Sequence, residues 1–154
     1  MSSGKVVAIH IAPEEGAPTE AVSDATIVPG KGIEGDRVFR KAEAGKPPKP
    51  HQEVTLIESE ALVALQRDYG IALSGGESRR NILTEGVALN HLVGREFQVG
   101  ECRLRGLELC EPCGYLEGLT VKGVVKGLLH RGGLRAQAIS GGTVRPGDAI
   151  QDGG

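Results

Sequence analysis

With 154 residues and a formal net charge of −2, the chain can bury one core but carries no global basic field to draw it to nucleic acid or an anionic membrane. It has no Trp, two Phe and two Tyr, so the aromatic platforms on which single-strand binders stack bases are scarce. Its 24 glycines, dispersed without a collagen period, predict many turns and tight backbone approaches rather than long helices.

The first element is "KVVAIHIA" (Lys5–Ala12), β-branched and strand-length. Its apolar run is too short for a secretory signal, and no run in the chain approaches a membrane span. Three cysteines cannot all pair within one chain, and free thiols suit a reducing compartment. The expectation is a cytoplasmic protein with one domain over residues 1–154. "EAVSDATIV" (Glu20–Val28) reads as a strand ending at the Pro29-Gly30 turn. "FRKAEAGKPPKPHQ" (Phe39–Gln52) is polar, basic and proline-rich. It reads as an exposed, mobile loop, either a plain insertion or a lid over a site.

"EVTLIE" (Glu53–Glu58) is another strand. The period then changes: Leu62, Leu65 and Tyr69 recur at helical spacing, with Ser59 as N-cap and Gly70 as stop. "ALNHLVG" predicts a short helical turn, and "REFQVG" with "CRLRGLEL" a hairpin around Gly100-Glu101. "VKGVVKGLLH" (Val121–His130) reads as a weak helix loosened by Gly123 and Gly127. "LRAQAIS" and "TVRPGDAI" are terminal strands, and the tail "QDGG" reads as frayed. Roughly seven to nine short strands with two or three helices argue for a mainly β (α+β) chain forming a closed or nearly closed barrel, helices packed outside.

Cys110-Glu111-Pro112-Cys113 admits four readings. Structural zinc needs four ligands, and only Cys102 and scattered histidines could complete the set. A thioredoxin-like pair needs a βαβ context that the flanking pattern lacks. Two inert core thiols are the third reading. The fourth is one reactive thiolate: Pro112 keeps the preceding residues extended, and "GYLEGL" after Cys113 opens a helical turn whose first amides favour a thiolate.

"ESRRNILTEG" places Arg79, Arg80 and Asn81 before an apolar pair, either a solvated turn or an anion site. On a strand, Arg79 and Asn81 share one face and Arg80 takes the other. "HRGGLRAQ" offers His130, Arg131 and Arg135 around two glycines, and "GIEGDR" offers Asp36 and Arg37, with Asp36 orienting Arg37 or capping the turn. No P-loop, GxGxxG or serine nucleophile elbow is present.

Taken in order, "GIEGDR", "RRNILTEG", "VGREFQVGE", "LCEPC" and "HRGGLRAQAISGGTVRPGD" resemble the MOSC family, named for the C-terminal domain of molybdenum cofactor sulfurases. The resemblance runs from Lys5 to Ile150. It implies a β-barrel of the pyruvate-kinase-barrel type. It also implies a hallmark cysteine, matched by Cys113, which either ligates molybdenum of a pterin-based cofactor or carries a persulfide. The Arg-x-Asn-Ile pattern falls on Arg79, Asn81 and Ile82, and the resemblance makes that arginine and asparagine holders of the pterin phosphate end. Arg37, Arg131 and Arg135 become further candidates for that phosphate. Val38 stands where many members carry His after the Asp-Arg pair.

Three functions follow from the resemblance. The first is molybdenum-cofactor binding with reduction of N-hydroxylated substrates, the electrons coming from a separate donor protein, since the chain lacks flavin or iron–sulfur motifs. The second is sulfur carriage on Cys113, supplied by a separate pyridoxal-phosphate cysteine desulfurase. The third is a binding domain without chemistry. Cys110 is either a packing neighbour or a disulfide partner for Cys113.

Overall fold

The computed structural model describes residues 3–152. Strand β1 (Ser3–Ile11) buries Val6 and Ile9, three residues apart, which a strict period of two would put on opposite faces. A register shift between Val6 and Ala8, where β1 pairs with β6 (Ile82–Glu85), turns both inward. The segment expected as one strand over Glu20–Val28 is two. β2 (Glu20–Val22) continues the sheet beside β1, and β3 (Ala25–Val28) pairs with β4 (Gly32–Ile33) and β10 (Gly142–Val144) in a separate small sheet.

β5 (Val54–Glu58) runs parallel to β6, which demands a crossover. Helix α2 (Ser59–Tyr69) supplies it. Glu58 rather than Ser59 is its N-cap residue, and Gly70, at φ 69°, closes its C-terminal end as expected. Ala61, Leu62 and Leu65 pack with Ile57, on the outer face of β5, and with Leu116, Val124 and Leu128. Burying each such leucine contributes about 1.5–3 kcal/mol.

The expected hairpin is present as β7 (Glu96–Val99) and β8 (Cys102–Leu109), and "LNHL" (Leu89–Leu92) forms a 3₁₀ turn. β9 (Leu134–Ser140) links β8 to β5, and β11 (Ala149–Asp152) pairs with both β7 and β1. The ring β1-β11-β7-β8-β9-β5-β6 therefore closes as a seven-stranded mixed barrel. Phe97, Leu104, Leu56, Ile82 and Ile150 fill it, all fully buried. The tail is less frayed than expected: Gln151 and Asp152 belong to β11, and Gly153 and Gly154 lie outside the described residues.

Two further expectations need correction. Part of the predicted Phe39–Gln52 loop is helix α1 (Arg37–Glu43), and a 3₁₀ turn (Pro50–Gln52) ends the segment. The cause is Asp36, whose carboxylate accepts the Val38 N–H at 3.3 Å and caps the helix start. The predicted helix over Val121–His130 shrinks to α4 (Val124–Gly127), because Gly123 adopts φ 102° before it. A short α3 (Gly114–Leu119) follows Cys113. Among the described residues there are thus eleven strands and four α-helices, more and shorter than the sequence suggested.

Candidate functional site: a cationic cleft at a thiol-bearing barrel end

The last residues of β8 and the first of β5, β6 and β9 meet at one end of the barrel. There they frame a cleft of about 520 Å³, closed on one side by α1 and the Lys46–Pro48 strap. Six cationic side chains line it (Arg37, Lys41, Lys46, Arg79, Arg80 and Arg135) against two carboxylates, Glu15 and Asp36. Asp36 is buried and committed to backbone, since its Oδ1 also accepts the Ala12 N–H at 2.9 Å. Glu15 lies 3.7 Å from Lys41. The balance leaves the cleft strongly positive and suited to an anionic ligand.

Cys113 and Cys110 both line this cleft, but in different states. Cys113 is exposed and serves as the N-cap residue of α3, although its thiol accepts no hydrogen bond from the helix start. Cys110 is buried, and its backbone N–H donates to Gly133 O at 2.7 Å. Burial pushes the Cys110 thiol up, opposed by the nearby charges of Arg80 and Arg135. Both thiols are free, as is Cys102, which sits in the barrel core with burial pushing its thiol up to about 11.

The arginines occupy unequal positions. β6 starts only at Ile82, so Arg79, Arg80 and Asn81 precede it, and the strand alternation expected for them does not apply. Arg79 has φ 63°, a left-handed conformation rare for a side-chain-bearing residue. Its Nη1 donates to Ala17 O at 2.7 Å. Arg80, expected on the opposite face, instead joins Arg79 and Asn81 in the cleft. Its Nε donates to Gly132 O at 2.7 Å and its Nη2 to Cys110 O at 3.0 Å.

Arg135, on β9, lines the cleft and makes a long 3.5 Å contact with His51 O. Arg37, just past the Asp36 cap, also lines it. Asn81 is structurally committed: its Nδ2 donates to His10 O at 3.1 Å and its Oδ1 accepts from the Thr55 N–H at 3.1 Å.

Arg131 is not part of this site. It faces a separate surface depression with Glu58, Asn90, His91 and His130, because the turn before β9 carries it away from the strand's cleft-facing end. Burial raises the Glu58 carboxyl there, and the neighbouring Glu60 adds to the effect, while the Leu89 N–H it accepts at 3.2 Å opposes it. Sequence reasoning also missed Glu53, buried, whose Oε1 accepts from the Gly30 and Ala138 N–H groups at 3.2 and 3.1 Å and ties the β3–β4 turn to β9. Nothing in a lone Glu at a strand start marks that role.

A closed mixed barrel with one cationic, thiol-bearing end defines a class of small β-barrel proteins. The match to the MOSC domain family model over residues 43–151 then places the chain: it belongs to the MOSC domain family. No curated protein matches its sequence at a significant level. In fold it is similar to the YuaD protein of Bacillus subtilis, with TM-score 0.80 and 16% identity over 96% of this chain and 94% of that one. It is also similar to YiiM of Geobacillus stearothermophilus (TM-score 0.72, 15% identity, 97% of this chain and 74% of that one). YiiM of Escherichia coli gives TM-score 0.68 and 14% identity over 97% of this chain and 70% of that one. No described helix is long and apolar enough to cross a membrane.

Proposed function

We propose that this MOSC protein binds a pterin-based molybdenum cofactor, with Cys113 as the protein ligand to the metal and the cleft arginines on the anionic end. The observation that carries the reading is the sharing of one cleft by the exposed Cys113 and by Arg37, Arg79, Arg80 and Arg135. The donor set fits such a group. Among the described residues no three His, Cys, Asp or Glu side chains converge, so a bare ion would find no complete set of protein ligands. A metal that brings its own organic ligands needs a single soft thiolate from the protein. The cleft volume falls within the usual range for cofactor sites.

When bound, the group supplies oxygen-atom exchange with N–O substrates such as N-hydroxylated compounds. The protein's part is to hold it. Cys113 anchors one end; the Arg37 side chain makes no hydrogen bond among the described residues and that of Arg135 only a long 3.5 Å one, so both keep donors to offer a phosphate. Arg79 and Asn81 shape the wall through their backbone and strand contacts. The strap at Pro47 and Pro48 forms part of the cleft wall. Electrons come from a separate donor protein.

A second reading draws on the exposure of Cys113, which a donor protein can reach directly. Here the Cys113 thiolate attacks the outer sulfur of a desulfurase persulfide. A new S–S bond forms at Cys113, and the donor cysteine leaves as thiolate. One experiment separates the readings. Molybdenum is measured in protein purified from a cofactor-competent host, alongside intact mass after incubation with a cysteine desulfurase and cysteine. Metal near stoichiometry, lost in Cys113→Ser and kept in Cys110→Ser, supports cofactor binding. Metal-free protein that gains one sulfur at Cys113 supports carriage instead. Neither metal nor sulfur leaves a binding domain without chemistry.

A further inference from the structure

Building on Cys113 as the working thiol, we propose that Arg80 is the positioning residue of the site: its fork fixes the loop that presents Cys113, and its charge faces that sulfur. The guanidinium spans two chain segments, gripping the carbonyl just past β8 (Cys110) and the one just before β9 (Gly132). Those segments are already pressed together. A Cβ on Gly132 would strike Cys110 O and Pro112, and one on Gly133, at φ 114°, would strike Leu56 O. The turn carrying Cys110 to Cys113 is therefore set against a glycine pair on one side and clamped by Arg80 on the other.

Arg80 is half-buried, and it shares the cleft lining with Cys110, Cys113 and Arg135. A guanidinium has five N–H donors, and the two carbonyls use two of them. The remaining three make no further hydrogen bond among the described residues, and the side chain lines the cleft together with Cys113. Lysine could keep the charge but not the fork, because its ammonium is a point donor on a flexible stem. Glutamine could keep one hydrogen bond but not the charge. The two substitutions therefore separate the two parts of the role.

The test uses paired alkylation of Cys113 in the folded, full-length protein, with the modified peptide identified by mass spectrometry. Iodoacetate and iodoacetamide react at the same sulfur, so any change in thiolate content cancels in the ratio of their rates. The ratio reports the local positive field on an incoming anion. Amide hydrogen exchange across residues 110–113 reports the clamp.

Arg80→Gln is expected to lower the iodoacetate-to-iodoacetamide ratio roughly three- to tenfold, as for loss of one charge at close range, and to speed exchange at Cys110. Arg80→Lys is expected to hold the ratio within about twofold of wild type while exchange still quickens. A ratio unchanged in Arg80→Gln overturns the charge role, and wild-type exchange in both variants overturns the clamp. Should Arg80→Gln fail to fold, Arg80→Lys decides: quickened exchange with the ratio held supports the proposal, and a collapsed ratio or wild-type exchange sinks it. Molybdenum content is measured on the same wild-type preparation. Metal-free protein that passes the alkylation test keeps the role of Arg80 and sinks only the cofactor reading.

Discussion

Asn81 and Thr55 hold each other by four hydrogen bonds. The Asn81 N–H donates to Thr55 O at 3.1 Å and to Thr55 Oγ1 at 3.0 Å, while Asn81 Oδ1 accepts from the Thr55 N–H at 3.1 Å and from its hydroxyl at 3.2 Å. With Nδ2 donating to His10 O, one side chain links the chain just ahead of β6 to both β5 and β1 at the rim of the cleft. Asn81→Ala leaves the Thr55 amide and the His10 carbonyl without these partners. It is expected to cost about 1–3 kcal/mol of unfolding free energy. Thr55→Val removes only the two hydroxyl contacts and keeps the backbone ones, so it should cost less. Urea denaturation of both variants checks the order, and equal stability of Asn81→Ala and wild type would contradict the staple.

Native alkylation should find a single thiol. Iodoacetamide at neutral pH is expected to add one group, at Cys113. Cys102 and Cys110 are buried, and burial holds both thiols in their unreactive protonated form. Intact-mass kinetics in buffer and then in denaturant count the sites. Rapid modification of Cys110 in the folded protein would show that the loop opens.

Glu58 makes a pH prediction. Burial raises its folded pKa above the unfolded value near 4.5, so the folded chain holds this proton more tightly than the unfolded chain. Its contribution to stability is most favourable below 4.5 and is lost as pH rises through the raised folded pKa. Glu58→Gln mimics the protonated form and can still accept the Leu89 N–H. The variant should match wild type at acid pH and become relatively more stable toward neutrality. Thermal melts of the two proteins across the range test it; a difference that shrinks as pH rises would reverse the sign.

The two arginines of "HRGGLRAQ" should separate in a cofactor-retention assay. Arg135→Gln removes a cleft donor, and its loss of a charged contact, about 1.5–3 kcal/mol, should lower molybdenum retention tenfold or more. Arg131→Gln, facing the Glu58 depression, should leave retention unchanged. Metal analysis after dialysis of both variants decides the matter, and equal loss from both would place Arg131 in the site after all.

The same pair shows what a sequence can and cannot place. The strand pattern of "LRAQAIS" carries Arg135, because β9 begins at Leu134. It has no purchase on Arg131, whose direction depends on the turn through Gly132 and Gly133. α2, β5 and the β7–β8 hairpin are legible because their apolar spacing and glycine stops are local signals. α1 is not, because proline-rich composition downstream masks it, and Asp36 is held in place by the Ala12 amide, far away in sequence. Arg80 is hidden for a similar reason. The positive φ of Arg79 takes the triplet off the strand pattern, and only the folded chain brings Cys110 and Gly132 within its reach.

The barrel seam lies between β1 and β11, where Ser3 stands opposite Gln151 and Lys5 opposite Ala149. β1, the first strand of the barrel to be made, must therefore keep one edge open until β11, the last of the barrel, has been synthesised. Sealing it means joining ends far apart along the chain, a slow kind of contact to form. During that interval the free edge is a template for strays, and a translation product stopped short of Ala149 would carry two such edges rather than none.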